Sequence, residues 1–215
     1  MTIKSIATKA TLFVILVAAL NLPGLAQTGT SILTWDLQLP MGDSKDFLGR
    51  GTLTARGVGF QIRRQMQEKI WAGAYFGWHV MNGTTDGTFP IEREEYKGHG
   101  TGKSWSYINV FPVMANVFYQ TGAPRGLQVS VGLNVGGYIY EERVEVSSVA
   151  FEQSRWLFGI APEIGIKYPV TYEASAYLSA KYHIGFKNSK TISGESTGLS
   201  YVTLSIGVAF DHGFF

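Results

Sequence analysis

The last fifteen residues, 201–215, read Y-V-T-L-S-I-G-V-A-F-D-H-G-F-F. One row of this stretch is large and apolar, and it comprises Val202, Leu204, Ile206, Val208 and Phe210. The residues between them are small or polar apart from Tyr201. Alternation with a period of two predicts a β-strand whose two faces meet different surroundings. The apolar row breaks at 211–213, so we expect the strand to end at Phe210, with the last five residues beyond it. A bulge at Gly213 that returns Phe215 to the outer face is the alternative.

The same alternation recurs in seven earlier segments. They are 31–39, 52–66, 69–81, 105–120, 127–141, 156–168 and 174–186. Their connections alternate between long and short, the longest being the polar stretch 82–104. Strand number and loop rhythm together predict an all-β, eight-stranded antiparallel up-and-down transmembrane β-barrel with both termini in the periplasm. The facing of 105–120 stays open, because Pro112 interrupts it and both rows contain apolar residues.

The N-terminus has the pattern of a secretory signal peptide. Lys4 and Lys9 precede a short apolar run at 10–20, and small residues at 24–26 offer a cleavage point. The run is shorter than the roughly 18 apolar residues of a membrane-spanning helix. We therefore expect a signal peptide over residues 1–26 and one barrel domain over 27–215.

Composition excludes several classes of function. The chain has no cysteine, which removes disulfides and thiolate chemistry. Its 18 basic and 16 acidic residues give +2, and without Lys4 and Lys9 the counts are 16 and 16. A net charge near zero argues against a nucleic-acid partner. No cofactor or metal centre is predicted.

The sorting of side chains favours a membrane barrel. The proposed outward rows are rich in Val, Ile, Leu and Phe, and the inward rows in Gly, Ala and Ser. Aromatic residues are predicted to form two belts at the bilayer interfaces, and the belts comprise Trp78, Trp105, Tyr107, Tyr140 and Trp156 at the loop ends and Phe118, Tyr119, Tyr168 and Phe210 at the turn ends. A secreted, soluble lipocalin-like barrel that binds a ligand is the alternative, with the apolar row inside.

These features, with segments 42–47 (GDSKDF) and 76–78 (FGW), resemble the small outer-membrane β-barrel proteins of the OmpW-like and related Bacteroidota-type families. The resemblance implies a place in the bacterial outer membrane. It implies outer-membrane lipid, lipopolysaccharide and the barrel-assembly machinery as partners. Phe210 and Phe215 are then the candidate aromatic end signals for assembly. The oligomeric state stays open.

Four charged residues lie on the predicted inward rows, namely Asp36, Arg63, Glu163 and Lys181. Isolated buried charges cost several kcal/mol, so we expect these side chains to pair. Glu163 and Lys181, on adjacent strands at similar heights, are the expected pair. They form either a polar plug or a gate for small solutes, since eight strands leave an interior only just wide enough for side chains.

The polar stretch 82–104 carries a second candidate site. Glu92, Glu94, Glu95 and His99 offer oxygen and nitrogen ligands for a surface cation, although an acidic loop in solvent has the same composition. Residues 98–104 look like a phosphate-binding loop. They follow charged residues and lead into a strand, which is the wrong context for that motif.

An enzyme of the cell envelope is the remaining alternative. Ser179 and His183 stand four residues apart on one strand, roughly 13 Å, which is too far for a nucleophile–base hydrogen bond. We therefore expect no catalytic residues and a non-enzymatic role as membrane scaffold, in surface contact or in narrow, porin-like solute passage. A barrel enzyme acting on envelope lipid is the competing hypothesis.

Overall fold

The computed structural model describes residues 28–49, 53–93, 96–123, 125–146, 149–186 and 198–213. The predicted signal peptide and Phe215 fall outside these residues. Within the described ranges, no helix is both long and apolar enough to cross a membrane.

Eight antiparallel strands close into a barrel, as the alternation predicts. In chain order they are β1 Thr28–Pro40, β2 Thr54–Gln65, β3 Ile70–Arg93, β4 Tyr96–Gly122, β5 Gln128–Val146, β6 Val149–Pro169, β7 Ala174–Gly185 and β8 Leu199–Gly213. One short helix, α1 (Gly42–Leu48), lies between β1 and β2. Each strand pairs with the next, and β8 pairs with β1 from Thr28↔Gly213 to Pro40↔Tyr201. This ring confirms the predicted fold class in strand number, direction and order.

The two ends of the barrel differ. At one end, here called the turn end, short connections at 66–69, 123–127 and 170–173 join the strands. At the other, the hairpin end, α1 lies over the barrel and the β3–β4 and β5–β6 hairpins extend. β3 and β4 have 24 and 27 residues, whereas β2 and β7 each have 12. One side of the barrel is therefore much taller than the other.

The prediction of a long polar loop at 82–104 is wrong. β3 continues to Arg93 and β4 begins at Tyr96, with pairing maintained up to Arg93↔Tyr96. The polar stretch 142–154, for which the sequence allows either a loop or a strand extension, is mostly strand, paired up to Val146↔Val149. The sequence pattern missed these extensions because a strand needs an apolar row only where one face packs against lipid or a core.

β4 turns its even-numbered side chains inward. Ile108, Val110, Met114 and Phe118 are at most 1% exposed, so the inward row of this strand is mostly apolar from 108 to 118, with Asn116 as the buried polar residue in it. Pro112 is buried among them, and the β3 ladder skips the two residues opposite Phe111 and Pro112. A proline has no N–H to donate, which explains the skip. The open facing of this strand is thereby settled.

The expectation that the last strand ends at Phe210 is wrong. β8 continues through Asp211 and His212 to Gly213, and its register with β1 has no shift. Asp211 continues the alternation, because it lies on the inward row and accepts a hydrogen bond from Thr30 Oγ1 at 2.6 Å. Two members of the predicted aromatic belts also point inward: Tyr140 is 2% exposed and Phe118 is 0% exposed.

Candidate functional site

The lumen of the barrel holds the candidate site, and a buried carboxylate lies at its centre. Glu163 on β6 receives five side-chain donors. At Oε1 these are Arg63 at 3.1 Å, Tyr177 at 2.7 Å and Lys181 Nζ at 3.5 Å. At Oε2 they are Asn134 at 3.0 Å and Gln61 at 3.4 Å. We call these six residues the Glu163 cluster.

Both terminal nitrogens of Arg63 form hydrogen bonds in or beside this cluster. Its Nη2 group donates to Gln61 Oε1 at 3.1 Å and to the Tyr177 hydroxyl at 2.7 Å, and Nη1 donates to Ser130 Oγ at 3.2 Å. The guanidinium lies 3.6 Å from the centre of the Phe118 ring. A cation over an aromatic face is stabilised by the ring quadrupole. The inward position of Phe118 therefore serves the charge network.

A second group of side chains lies nearer the hairpin end. His79 Nε2 is 3.0 Å from Asp36 Oδ2, and His79 Nδ1 is 2.8 Å from the Tyr201 hydroxyl. The Tyr75 hydroxyl lies 3.4 Å from the same Asp36 oxygen. The two ring nitrogens of His79 therefore bridge the carboxylate of Asp36 and the hydroxyl of Tyr201. Through Oδ2, Asp36 contacts His79 and Tyr75, whereas its buried Oδ1 has no hydrogen-bond partner among the described residues.

His183 extends this group across the lumen. Its ring stacks on Tyr201 at 4.3 Å between centroids with an interplanar angle of 2°. It also lies edge-on to His79 at 5.5 Å, and its Nδ1 is 3.2 Å from the Tyr138 hydroxyl. Together, Asp36, Tyr75, His79, Tyr138, His183 and Tyr201 form what we call the histidine–tyrosine layer.

Glycines on the inward rows make room for this layer. A Cβ at Gly59 would lie 2.8 Å from Asp36 Oδ2, and one at Gly77 would lie 2.8 Å from the Tyr75 hydroxyl. Gly165 stands in the same relation to Tyr177, at 2.6 Å. The glycine-rich inward rows therefore do more than narrow the lumen, because a polar side chain of the same or another strand occupies the space beside each of these glycines.

An apolar plug closes the hairpin end. Leu48 of α1 is 0% exposed and packs in one cluster with Met81, Ile108 and Leu157. α1 is attached to β8, since Ser44 Oγ accepts from the Ser200 N–H at 3.0 Å. The connection between the predicted strands 31–39 and 52–66 therefore contains a helix that covers the barrel.

The structure brings three of the four predicted lumen charges together and places the fourth separately. Arg63, Glu163 and Lys181 share the Glu163 cluster, and Glu163 and Lys181 are register partners on β6 and β7. Asp36 lies in the histidine–tyrosine layer instead. Each of the four is at most 3% exposed.

Sequence reasoning missed several participants, chiefly Gln61, Tyr75 and Tyr201. All three stand on inward rows, so the alternation gives their facing. Their roles depend on partners from distant strands, such as Gln61 with Glu163, 102 residues apart. A single sequence carries no signal for such pairs.

The predicted surface cation ligands cannot be placed. Glu94 and Glu95 lie outside the described residues, and so do the side chains of Glu92 and His99. Among the side chains that the structure does describe, no group of three or more His, Asp or Glu residues could hold a metal ion.

The serine–histidine alternative finds no matching geometry. His183 contacts Tyr138, while Ser179 Oγ accepts from Lys181 Nζ at 3.3 Å. His79 is paired with Asp36, and both side chains are 0% exposed. A substrate outside the barrel could not reach either histidine in this closed lumen.

No family model and no curated protein sequence matches the chain. Among solved structures, the attachment invasion locus protein Ail of Yersinia pestis has a TM-score of 0.49 and 10% identity, over 87% of this chain and 99% of that chain. The outer membrane protein OprG of Pseudomonas aeruginosa has a TM-score of 0.47 and 12% identity, over 88% and 97%. The outer membrane protease OmpT of Escherichia coli has a TM-score of 0.47 and 8% identity, over 87% and 96%. At these TM-scores and identities, the comparisons carry no conclusion about family or function.

Proposed function

We propose that this chain is an integral β-barrel of the bacterial outer membrane, with a non-enzymatic role in which a closed barrel anchors projecting hairpins for surface contact. The main support for this proposal is the contrast in polarity between the outer face of the barrel wall, which is apolar, and the inner face, which is largely polar. Apolar side chains that are 40 to 57% exposed occur on every strand, for example Leu33, Phe60, Trp78, Val117, Leu133, Ile164, Leu178 and Ile206. A soluble protein rarely exposes so large a continuous apolar surface, whereas a bilayer requires one.

The height of the apolar band fits a bilayer. On β5, the outward row is apolar or glycine from Val129 to Ile139, ten residues along the strand. At about 3.3 Å per residue and a tilt of about 40°, this length spans about 25 Å. A soluble lipocalin-like barrel would have the opposite facing, with Arg63 and Glu163 in water.

The lumen argues for anchoring over transport. Along its length it is filled by the Glu163 cluster, the histidine–tyrosine layer and the apolar plug. A pore needs a continuous aqueous path, and each of these layers is made of buried side chains in contact. The interior of an eight-stranded barrel is narrow enough for such filling.

The hairpin end supplies the surface for contact. Beyond Ile139, the outward row of β5 becomes Glu141, Arg143 and Glu145. Arg143 forms ion pairs with Glu145 and with Glu152 of β6. Charged pairs of this kind belong in water, so the β5–β6 hairpin leaves the membrane here. Lipopolysaccharide around this rim, and the barrel-assembly machinery during insertion, are the partners that this proposal includes.

Cysteine labelling tests the proposal directly, because the chain has no cysteine of its own. Glu152→Cys places a thiol on the projecting hairpin, and Tyr172→Cys places one at the turn end, where Tyr172 is 94% exposed. With a membrane-impermeant maleimide, we expect intact cells to be labelled at position 152 only. Permeabilised cells should be labelled at both positions. Equal labelling of intact cells at the two sites, or recovery of the protein in the soluble fraction, contradicts the proposal.

Narrow solute passage is the second candidate, favoured by the polar side chains that line most of the lumen. Planar-bilayer recording of the refolded protein separates the two. The anchor proposal expects no steps of current, whereas a gated passage gives steps that change in Glu163→Gln and Lys181→Met. A barrel enzyme has the weakest support, since both lumen histidines are buried and paired with groups other than a nucleophile.

A further inference from the structure

A small cavity lies between the Glu163 cluster and the turn end. Its volume is about 10 Å³, and Thr30, Arg63, Ser130, Lys167 and Tyr177 are among the side chains that line it. A space of this size holds one water molecule or one monatomic ion.

The lining of this cavity is cationic. It contains the two cations Arg63 and Lys167 and no carboxylate. Arg63 is 2% and Lys167 is 8% exposed, so water screens neither charge well. Glu163 and Asp211 contact these cations, at 3.1 and 2.8 Å, but neither carboxylate lines the cavity.

Two hydrogen-bond donors of these cations remain available. Arg63 uses Nη1 for Ser130 and Nη2 for the cluster, while its buried Nε has no hydrogen-bond partner among the residues that the structure describes. The Lys167 ammonium carries three protons, and its two hydrogen bonds go to Asp211 Oδ1 at 2.8 Å and Oδ2 at 3.1 Å. A buried donor without an acceptor is costly, so the site favours an occupant that accepts hydrogen bonds.

We propose that this cavity is a binding site for one small inorganic anion, of the halide class, held between Arg63 and Lys167. A water molecule fills the same volume, but it accepts the same hydrogen bonds without the Coulomb attraction of two buried cations. Chloride carries no proton donor, which suits a wall whose charged groups are both donors. Glu163 and Asp211 limit the affinity, because their carboxylates pair with Arg63 and Lys167 and offset part of the positive charge.

The full refolded barrel in detergent allows a direct measurement of chloride binding. Broadening of the chloride-35 NMR line, titrated with protein, reports exchange of the ion into a site. We expect Lys167→Met to weaken binding by about tenfold or more, the loss typical of one charge-assisted hydrogen bond. We expect Asp211→Asn to strengthen it, because the competing carboxylate is gone. Lys69→Met, which removes an exposed cation of the 66–69 turn, is the matched control and should change nothing.

Lys167→Met is expected to weaken chloride binding and Asp211→Asn to strengthen it. Damage to the fold would weaken binding in both variants, so the opposite directions distinguish the two explanations. Crystals grown with bromide locate the ion independently by anomalous scattering. A bromide peak between Arg63 and Lys167 supports the site. Water alone in the cavity, or equal line broadening for Lys167→Met and Lys69→Met, overturns the proposal.

Discussion

Removing the charge of Glu163 should destabilise the barrel more than any other single neutralisation in the lumen. The variant Glu163→Gln keeps the shape of the side chain but leaves Arg63 and Lys181 as buried cations without their shared carboxylate. Breaking a buried ion pair from one side costs about 3–5 kcal/mol. That is a large part of the roughly 5–15 kcal/mol by which most proteins are stable.

The other partner should matter less. Lys181→Met leaves Glu163 with Arg63 at 3.1 Å, which is closer than Lys181 at 3.5 Å. The double variant Glu163→Gln/Lys181→Met removes one charge of each sign, so it should cost less than the two single changes added together. We expect a coupling free energy of about 1–3 kcal/mol.

Urea unfolding of the protein refolded into lipid vesicles, followed by tryptophan fluorescence and by heat-dependent gel mobility, measures these free energies. Glu152→Gln is the matched control, since its side chain is 65% exposed and should lose no more than about 0.5 kcal/mol. If Glu163→Gln is as stable as this control, the carboxylate does not hold the cluster together. Strict additivity in the double variant would refute the shared pairing.

Three further predictions concern other parts of the barrel. Leu133→Arg, in the middle of the apolar row of β5, should destabilise the barrel in vesicles by about 2–4 kcal/mol, and Tyr168→Arg near the turn end by about 0–1 kcal/mol; equal effects would contradict the assigned bilayer position. Leu48→Ala should loosen the apolar plug and raise the conductance of the refolded barrel, whereas Lys45→Ala, at an exposed position of the same helix, should not. If Leu48→Ala gives no current, the Glu163 cluster and the histidine–tyrosine layer close the lumen without the plug. Deletion of residues 214–215 should slow insertion by the assembly machinery if the terminal aromatics carry the signal, and an unchanged rate would assign it to Phe210.

The sequence by itself determined the strand number, the facing of most strands and the inward position of the four lumen charges. Period-two alternation is a local property of the sequence. Because lipid-facing positions must be apolar, the alternation is visible in segments such as 127–141 and 201–210. The facing of Asp36, Arg63, Glu163 and Lys181 follows from that alternation alone. The signal peptide and the surface cation site stay predictions, because they concern residues outside those that the structure describes.

Only the tertiary structure decided which inward side chains meet. Strands far apart in sequence are brought face to face across the closed ring, so Arg63 reaches Glu163 over 100 residues and His79 reaches Tyr201 over 122. The same closure allows β4 to present an apolar inward row, because Ile108 has Leu48 of α1 to pack against and Phe118 has Arg63. The projecting hairpins could not be predicted from the sequence, because a strand with water on both faces has no apolar row that would identify it. The alternation of polarity along each strand therefore determines which side chains face lipid. Contacts between distant strands across the lumen determine which side chains fill and close it.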